Sequence, residues 1–282
     1  MFKYRIISFP LLLFLLYLIF FQPWGSWIFI VGAPVVIALA LYEAGKLFSL
    51  CKIENDPVFT AELGGIGAFL FFLNCFFGFQ TGIFSLLLMI VILAGILLVF
   101  CTMLFSRDEV KFRKLFNSVA IAGIFGYCYI LFASFYFDRM SPLFLLYLML
   151  TAKAMDTGGY IFGMISNKLM PGGNHKIAPS ISPKKSWEGF FGGMAFSIGV
   201  SMIFWRCLGN FAWYFYLAGG VLLALLSFAG DLTESVLKRR AGVKDSAQWI
   251  PGMGGVLDVL DSFLYIGPAV ALIAAVSAIF SI

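Results

Sequence analysis

Charge is what this sequence has least of. Asp, Glu, Lys and Arg make up 12% of its 282 residues, against 62% hydrophobic, where a soluble domain carries roughly 25% charged and about 45–50% apolar residues. Half the usual charge cannot cover a water-facing surface of this size, so a soluble globular enzyme is excluded. Disorder is excluded by the same figures, because it requires low hydrophobicity and high charge. Histidine is almost missing too, since His175 is the only imidazole. The five cysteines, Cys51, Cys75, Cys101, Cys128 and Cys207, show no Cys-x-x-Cys spacing and lie in or beside apolar runs. They read as small buried hydrophobes, not as zinc, redox or disulfide cysteines.

What is present instead is long apolar sequence. A membrane span needs about 20 mostly apolar residues, and nine stretches qualify: 6–22, 26–49, 61–80, 82–105, 115–137, 141–163, 187–208, 211–231 and 259–281. The first is followed by the bulky Phe20-Phe21-Gln22-Pro23-Trp24 and not by a small-residue cleavage site, so it is kept as a span. The expected fold is an all-α integral membrane protein of about nine transmembrane helices. Basic residues give its orientation. With the N-terminus inside, the cytoplasmic side holds Lys3, Arg5, Lys46, Lys52, Arg107, Lys111, Arg113, Lys114, Lys168, Lys176, Lys184, Lys185, Lys238, Arg239, Arg240 and Lys244. Only Arg139 and Arg206 fall outside, and Lys153 lies within a span. The C-terminus is then outside a cytoplasmic membrane. The net charge of +5 belongs to a face over anionic lipid and phosphate, and no nucleic-acid partner is expected.

The two halves differ in kind. Residues 1–140 form a transmembrane scaffold of hydrophobic hairpins with almost no polar residue inside a span except Glu43, which can pair with Lys46 at i,i+3. Residues 141–282 hold two cytoplasmic loops, 164–186 and 232–258, dense in Gly, Pro, Lys and Asp. Each loop is flanked by carboxylates at the edge of a span: Asp156 and Glu188 around the first, Asp231, Asp258 and Asp261 around the second. An ionisable residue within a span costs at least about 2.5–3.5 kcal/mol on insertion scales, so it faces a polar interior. For Lys153 and Asp156, at i,i+3, mutual neutralisation and a catalytic role fit equally well.

The most informative stretch is 229–262. If 231–239 is helical, Asp231, Ser235, Lys238 and Arg239 share one face at i, i+4, i+7 and i+8. Asp258 and Asp261 lie at i,i+3 at the start of the last span. Between them Pro251-Gly252-Met253-Gly254-Gly255 is a loop whose backbone can approach a ligand closely and present N–H groups, as phosphate sites require. Carboxylates at two helix ends beside a glycine-rich loop and several cations suit Mg²⁺ and a triphosphate. A second stretch, Ser182-Pro183-Lys184-Lys185-Ser186-Trp187-Glu188-Gly189, places two lysines before a helix start, a plausible anion site. Trp187 reads equally well as an interfacial anchor.

The run Ser235-x-x-Lys238-Arg239-x4-Lys244-Asp245-Ser246, then Pro251-Gly252-x-Gly254-Gly255-Val256-Leu257-Asp258-x-x-Asp261-Ser262, closely resembles the motif of the phosphatidate cytidylyltransferases (CDP-diacylglycerol synthases). Ser182 to Gly189 and Asp156-Thr157-Gly158-Gly159-Tyr160 resemble that family as well. Met253 and Val259 depart from its usual His and Arg, which takes an imidazole and a cationic side chain away from those two positions. The resemblance implies a Mg²⁺-dependent, dimeric membrane enzyme that joins CTP and phosphatidic acid into CDP-diacylglycerol and pyrophosphate. On that reading Asp231, Asp258 and Asp261 hold metal, and Lys238, Arg239 and Lys244 meet phosphate oxygens. Lys184 and Lys185 bind either CTP or the lipid headgroup, and Asp156 and Glu188 orient these lysines or a second cation. Asp245, Ser182, Ser186, Trp187, Ser235, Gly254 and Gly255 complete the expected site. Two rivals remain: a CTP-dependent kinase of a polyprenol or other lipid alcohol, and a membrane transporter, which would place its polar residues at mid-bilayer on broken, repeated helices.

Overall fold

The computed structural model describes residues 14–77, 109–137, 142–209, 211–250 and 254–280. It is almost wholly helical. Six helices among the described residues are long and apolar enough to cross a membrane: Gly25–Leu50 (α1), Pro57–Phe77 (α2), Glu109–Phe137 (α3), Trp187–Leu208 (α5), Trp213–Arg240 (α6) and the run Val256–Val276. The chain is therefore an integral membrane protein by its helices, with six such spans among the described residues against nine expected over the whole sequence. Residues 6–13 and 82–105 lie outside the described residues, as do Lys3, Arg5, Cys101, Arg107, Arg139 and 251–253. The expected span 141–163 forms a 28-residue helix, Pro142–Leu169 (α4), that is not among the six. Its middle, Thr151-Ala-Lys-Ala-Met-Asp-Thr-Gly-Gly159, breaks the apolar run.

Contacts divide the chain into two compact units, Met1–Ser141 with Arg240–Leu260 and Pro142–Arg239 with Asp261–Ile282. In the first, α2 starts where Asp56 accepts from the backbone N–H of Val58 at 3.0 Å and Phe59 at 3.2 Å, with Pro57 following. This is the cap and proline order that favours a helix start. α1 and α2 pack closely because Gly64 and Gly65 face Leu41 and Ala38; a Cβ on Gly65 would lie 2.9 Å from that of Ala38. Small residues let helices approach where lipid gives no hydrophobic drive to association. α3 contains a π-turn at Ala122–Gly126. The short helix Val256–Leu260 (α7) completes this unit.

In the second unit, a two-stranded antiparallel hairpin, β1 (Lys176–Ala178) and β2 (Ser182–Ser186), pairs Lys176 with Ser186 and Ala178 with Ser182. The sequence suggested only a loop here. Ser186 ends the hairpin and caps α5, its hydroxyl accepting from Gly189 N at 3.1 Å, and Gly209 with φ 62° closes that helix. α4 and α5 cross at a glycine contact: a Cβ on Gly193 would stand 2.5 Å from the Met155 carbonyl oxygen. Serines fasten the helices further. Ser197 donates to Thr151 O at 2.9 Å, and Ser227 to Ala152 O at 3.2 Å. Beyond a 3₁₀ turn at Asp261–Phe263, the last helix, Ile266–Phe280 (α8), begins. The last apolar run is thus broken at Asp261 and Ser262.

Candidate active site

α6 carries its polar residues in its last three turns, and α4 carries its own in its middle; the break before α8 brings Asp261 to both. Gly230 makes this possible, since a Cβ there would meet the Asp261 carbonyl oxygen at 2.2 Å. Asp231, Glu234 and Asp261 then bring one carboxylate oxygen each within 4.8 Å of one another. Glu234 sits one turn from Asp231 on α6 and was not singled out from sequence; the i,i+3 spacing of two acids on one face was the available signal. Asp261 is 8% exposed and Glu234 4%.

Each acid of this triad meets a lysine. Lys185 Nζ lies 2.7 Å from Asp231 and over the Phe228 ring at 4.4 Å. Lys238 reaches Glu234 at 2.6 Å. Lys153 lies 3.4 Å from Asp261 and 3.1 Å from Asp156, and donates to Ser262 Oγ at 2.8 Å. Ser262 Oγ itself stands 2.8 Å from both Asp156 and Asp261. Lys153 is therefore more than the local partner of Asp156. Counting Asp156, four carboxylates face three ammonium groups at one site, with Ser235 Oγ 3.4 Å from Asp231.

The remaining expected residues of this unit take other places. Arg239 donates through Nε to Ile181 O at 3.1 Å, tying α6 to the hairpin turn. Glu188 binds His175 and not the lysines it was expected to orient. Its Oε1 is 2.6 Å from His175 Nδ1, and both its oxygens accept from His175 N at 3.2 Å, which fastens the hairpin to α5. Lys184 and Trp187 are exposed, with Trp187 stacked on Phe191. Ser182 pairs across the hairpin with Ala178.

The signature segment that follows α6 belongs to the other unit and forms a cluster of its own. Lys244 and Asp245 are exposed. Asp258 Oδ2 accepts from Gly255 N at 2.7 Å and from Ser246 N at 3.0 Å. Glu43, 1% exposed, does not pair with Lys46, whose Nζ lies over the Tyr42 ring. Its Oε1 accepts from Val256 N at 2.9 Å, and its Oε2 from Leu257 N at 2.8 Å and Ser246 Oγ at 2.6 Å. Gly254 has φ 99°, and a Cβ on Gly255 would stand 2.1 Å from Ser246 Oγ. Glycine is required at both.

The triad suits a hard divalent cation. Carboxylate oxygens are the donors Mg²⁺ prefers, at about 2.0–2.1 Å, and the three acids bring one oxygen each to within 4.8 Å of the others. The sequence matches the profile of the cytidylyltransferase family over residues 3–277. It is 40% identical over 154 residues to a phosphatidate cytidylyltransferase of Staphylococcus haemolyticus, covering 54% of each chain. A Staphylococcus aureus protein of the same name is 41% identical over 154 residues, again with 54% of each chain covered. The chain thus spans about half the length of the curated relatives it matches.

Proposed function

This chain belongs to the cytidylyltransferase family, and on that premise we propose that it transfers the cytidylyl group of CTP to phosphatidic acid, giving CDP-diacylglycerol and pyrophosphate. The observation that carries the reading is the acid triad interleaved with three lysines in a chain of membrane-spanning helices. The reaction joins two anions, so charge neutralisation and alignment are its main demands. A phosphate oxygen of the lipid forms a bond to the α-phosphorus of CTP as the bond from that phosphorus to the β-phosphate oxygen breaks, and pyrophosphate departs with the electron pair.

Asp231, Glu234 and Asp261 would hold Mg²⁺, which when bound supplies a Lewis acid for phosphate oxygens. Lys185 and Lys238, paired with Asp231 and Glu234, would pass from carboxylate to phosphate oxygens as the nucleotide enters. Lys153, held between Asp156, Asp261 and Ser262, keeps the inner acids from repelling one another. The proposed setting is a cytoplasmic membrane, with phosphatidic acid drawn from the bilayer, the site on the cytoplasmic side, and a homodimer as the assembled form. The test is incubation of membranes containing the chain with CTP and phosphatidic acid. Pyrophosphate and CDP-diacylglycerol support the proposal; CDP with a phosphorylated lipid alcohol would assign the kinase reaction in its place.

No general base is required. A phosphate monoester loses its second proton near pH 6, so the attacking oxygen carries no proton at neutral pH. His175, at the base of the hairpin and bonded to Glu188, is a structural tie. His175→Gln should keep turnover within roughly tenfold at neutral pH, about 1.4 kcal/mol of barrier. A thousandfold loss in folded protein would make the imidazole part of the chemistry.

A further inference from the structure

Glu43 lies buried on the apolar helix α1, yet it makes its strong hydrogen bonds to residues more than 200 positions away. A helix start leaves its first N–H groups without intrahelical partners. In the segment Gly255-Val256-Leu257 those three donors are shared between two carboxylates. Asp258 Oδ2 takes Gly255 N, while the two oxygens of Glu43 take Val256 N and Leu257 N separately. Hydrogen bonds to an ionised acceptor are roughly twice as strong as neutral ones, and here both oxygens of a buried group are spent on consecutive amides.

Ser246 joins the two acids. Its backbone N–H binds Asp258 Oδ2 at 3.0 Å, and its hydroxyl lies 2.6 Å from Glu43 Oε2 and 3.0 Å from Asp258 Oδ2. A hydroxyl has one hydrogen, so the shorter contact is the donated one and Glu43 fixes the rotamer of Ser246. The backbone comes this close only because Gly255 has no Cβ, which would stand 2.2 Å from Glu43 Oε2. A carboxylate buried merely to fill space would be replaced with advantage by an apolar side chain.

We infer that Glu43 is a positioning residue for the transfer reaction: it locks the Gly254–Asp258 segment and, through Ser246, the orientation of the Asp258 carboxylate. This rests on the reaction proposed above. Asp258 lies in the signature run Pro251–Ser262 that resembles the cytidylyltransferase motif, so what fixes its carboxylate bears on the reaction.

The test compares wild type with Glu43→Gln, Ser246→Ala and the double variant, as full chains in lipid nanodiscs. Gln keeps the volume but turns an amide N–H₂ toward a backbone donor. Glu43→Gln should lower kcat about thirtyfold with KM for CTP changed less than about threefold. Its thermal midpoint should stay within a few degrees of wild type, while amide hydrogen exchange at 254–258 accelerates. The double variant should be no slower than Glu43→Gln alone, because the Ser246 hydroxyl serves only to pass the hold of Glu43 on to Asp258. Unchanged kcat with a lowered midpoint would make Glu43 a structural residue and overturn the inference, as would unchanged exchange at 254–258. A wild-type chain with no cytidylyl transfer overturns the proposed activity instead, and the exchange measurement alone then decides whether Glu43 holds this segment.

Discussion

Asp261→Asn should reduce turnover by about three orders of magnitude at saturating CTP while the protein stays folded in the membrane. Asp261 is the one acid common to both halves of the charged site. It shares the triad with Asp231 and Glu234, and it shares Lys153 and Ser262 with Asp156. Asparagine keeps the volume and removes one negative charge, so a cation would be held by two carboxylates where three stood. The fold survives because Lys153 retains Asp156 at 3.1 Å and because the close approach at Gly230 is to the backbone of residue 261 and not to its side chain. Divalent affinity, measured with Mn²⁺ by electron paramagnetic resonance, should weaken in parallel with activity. Turnover within tenfold of wild type, with Mn²⁺ bound as before, would remove Asp261 from the ion site.

The sequence exposes Asp231 and Asp261 because each is an acid at the edge of an apolar run, where burial has a cost that only a polar task offsets. Glu234 escapes because the helical face counted from Asp231 runs through i+4, i+7 and i+8 and leaves out i+3, where Glu234 stands on the helix that continues to Arg240. Glu43 escapes for a different reason. Helical periodicity compares neighbours three or four residues apart and so proposes Lys46, whereas the true partners at 246, 256 and 257 follow from tertiary packing alone. The hairpin is equally hidden, since Pro183, Lys184 and Lys185 are poor strand residues. Its register is fixed by the bonds of Glu188 to His175 and of Trp187 N to His175 O. Hydrophobicity marks the spans well where a run is unbroken. It leaves unexplained the polar middle of α4, whose Lys153 and Asp156 look like defects in a span until Asp261 and Ser262 are seen against them.

Lys153→Met is expected to produce the second-largest effect, a loss of about a hundredfold in kcat, or roughly 2.7 kcal/mol of barrier. The ammonium group touches Asp156, Asp261 and Ser262 at 3.1, 3.4 and 2.8 Å. Without it, two carboxylates remain on either side of one serine hydroxyl, each 2.8 Å from the same oxygen, with no counter-charge between them. Methionine keeps most of the length and apolar bulk of lysine, so the loss reports charge and not packing. Two outcomes separate a passive neutraliser from a group that sets the ion content of the site. Two-ion phosphoryl-transfer sites hold their metals about 3.5–4 Å apart, and removing the ammonium group would leave Asp156 and Asp261 open to a second cation. Mn²⁺ bound per chain should therefore rise from one in the wild type to two in Lys153→Met. Lys153→Arg should not restore activity, because a planar guanidinium is wider than the ammonium it replaces and directs its donors differently. A variant with one bound ion and undiminished turnover would show that Lys153 only balances charge, and that Asp156 has no part in holding Asp261 for the reaction.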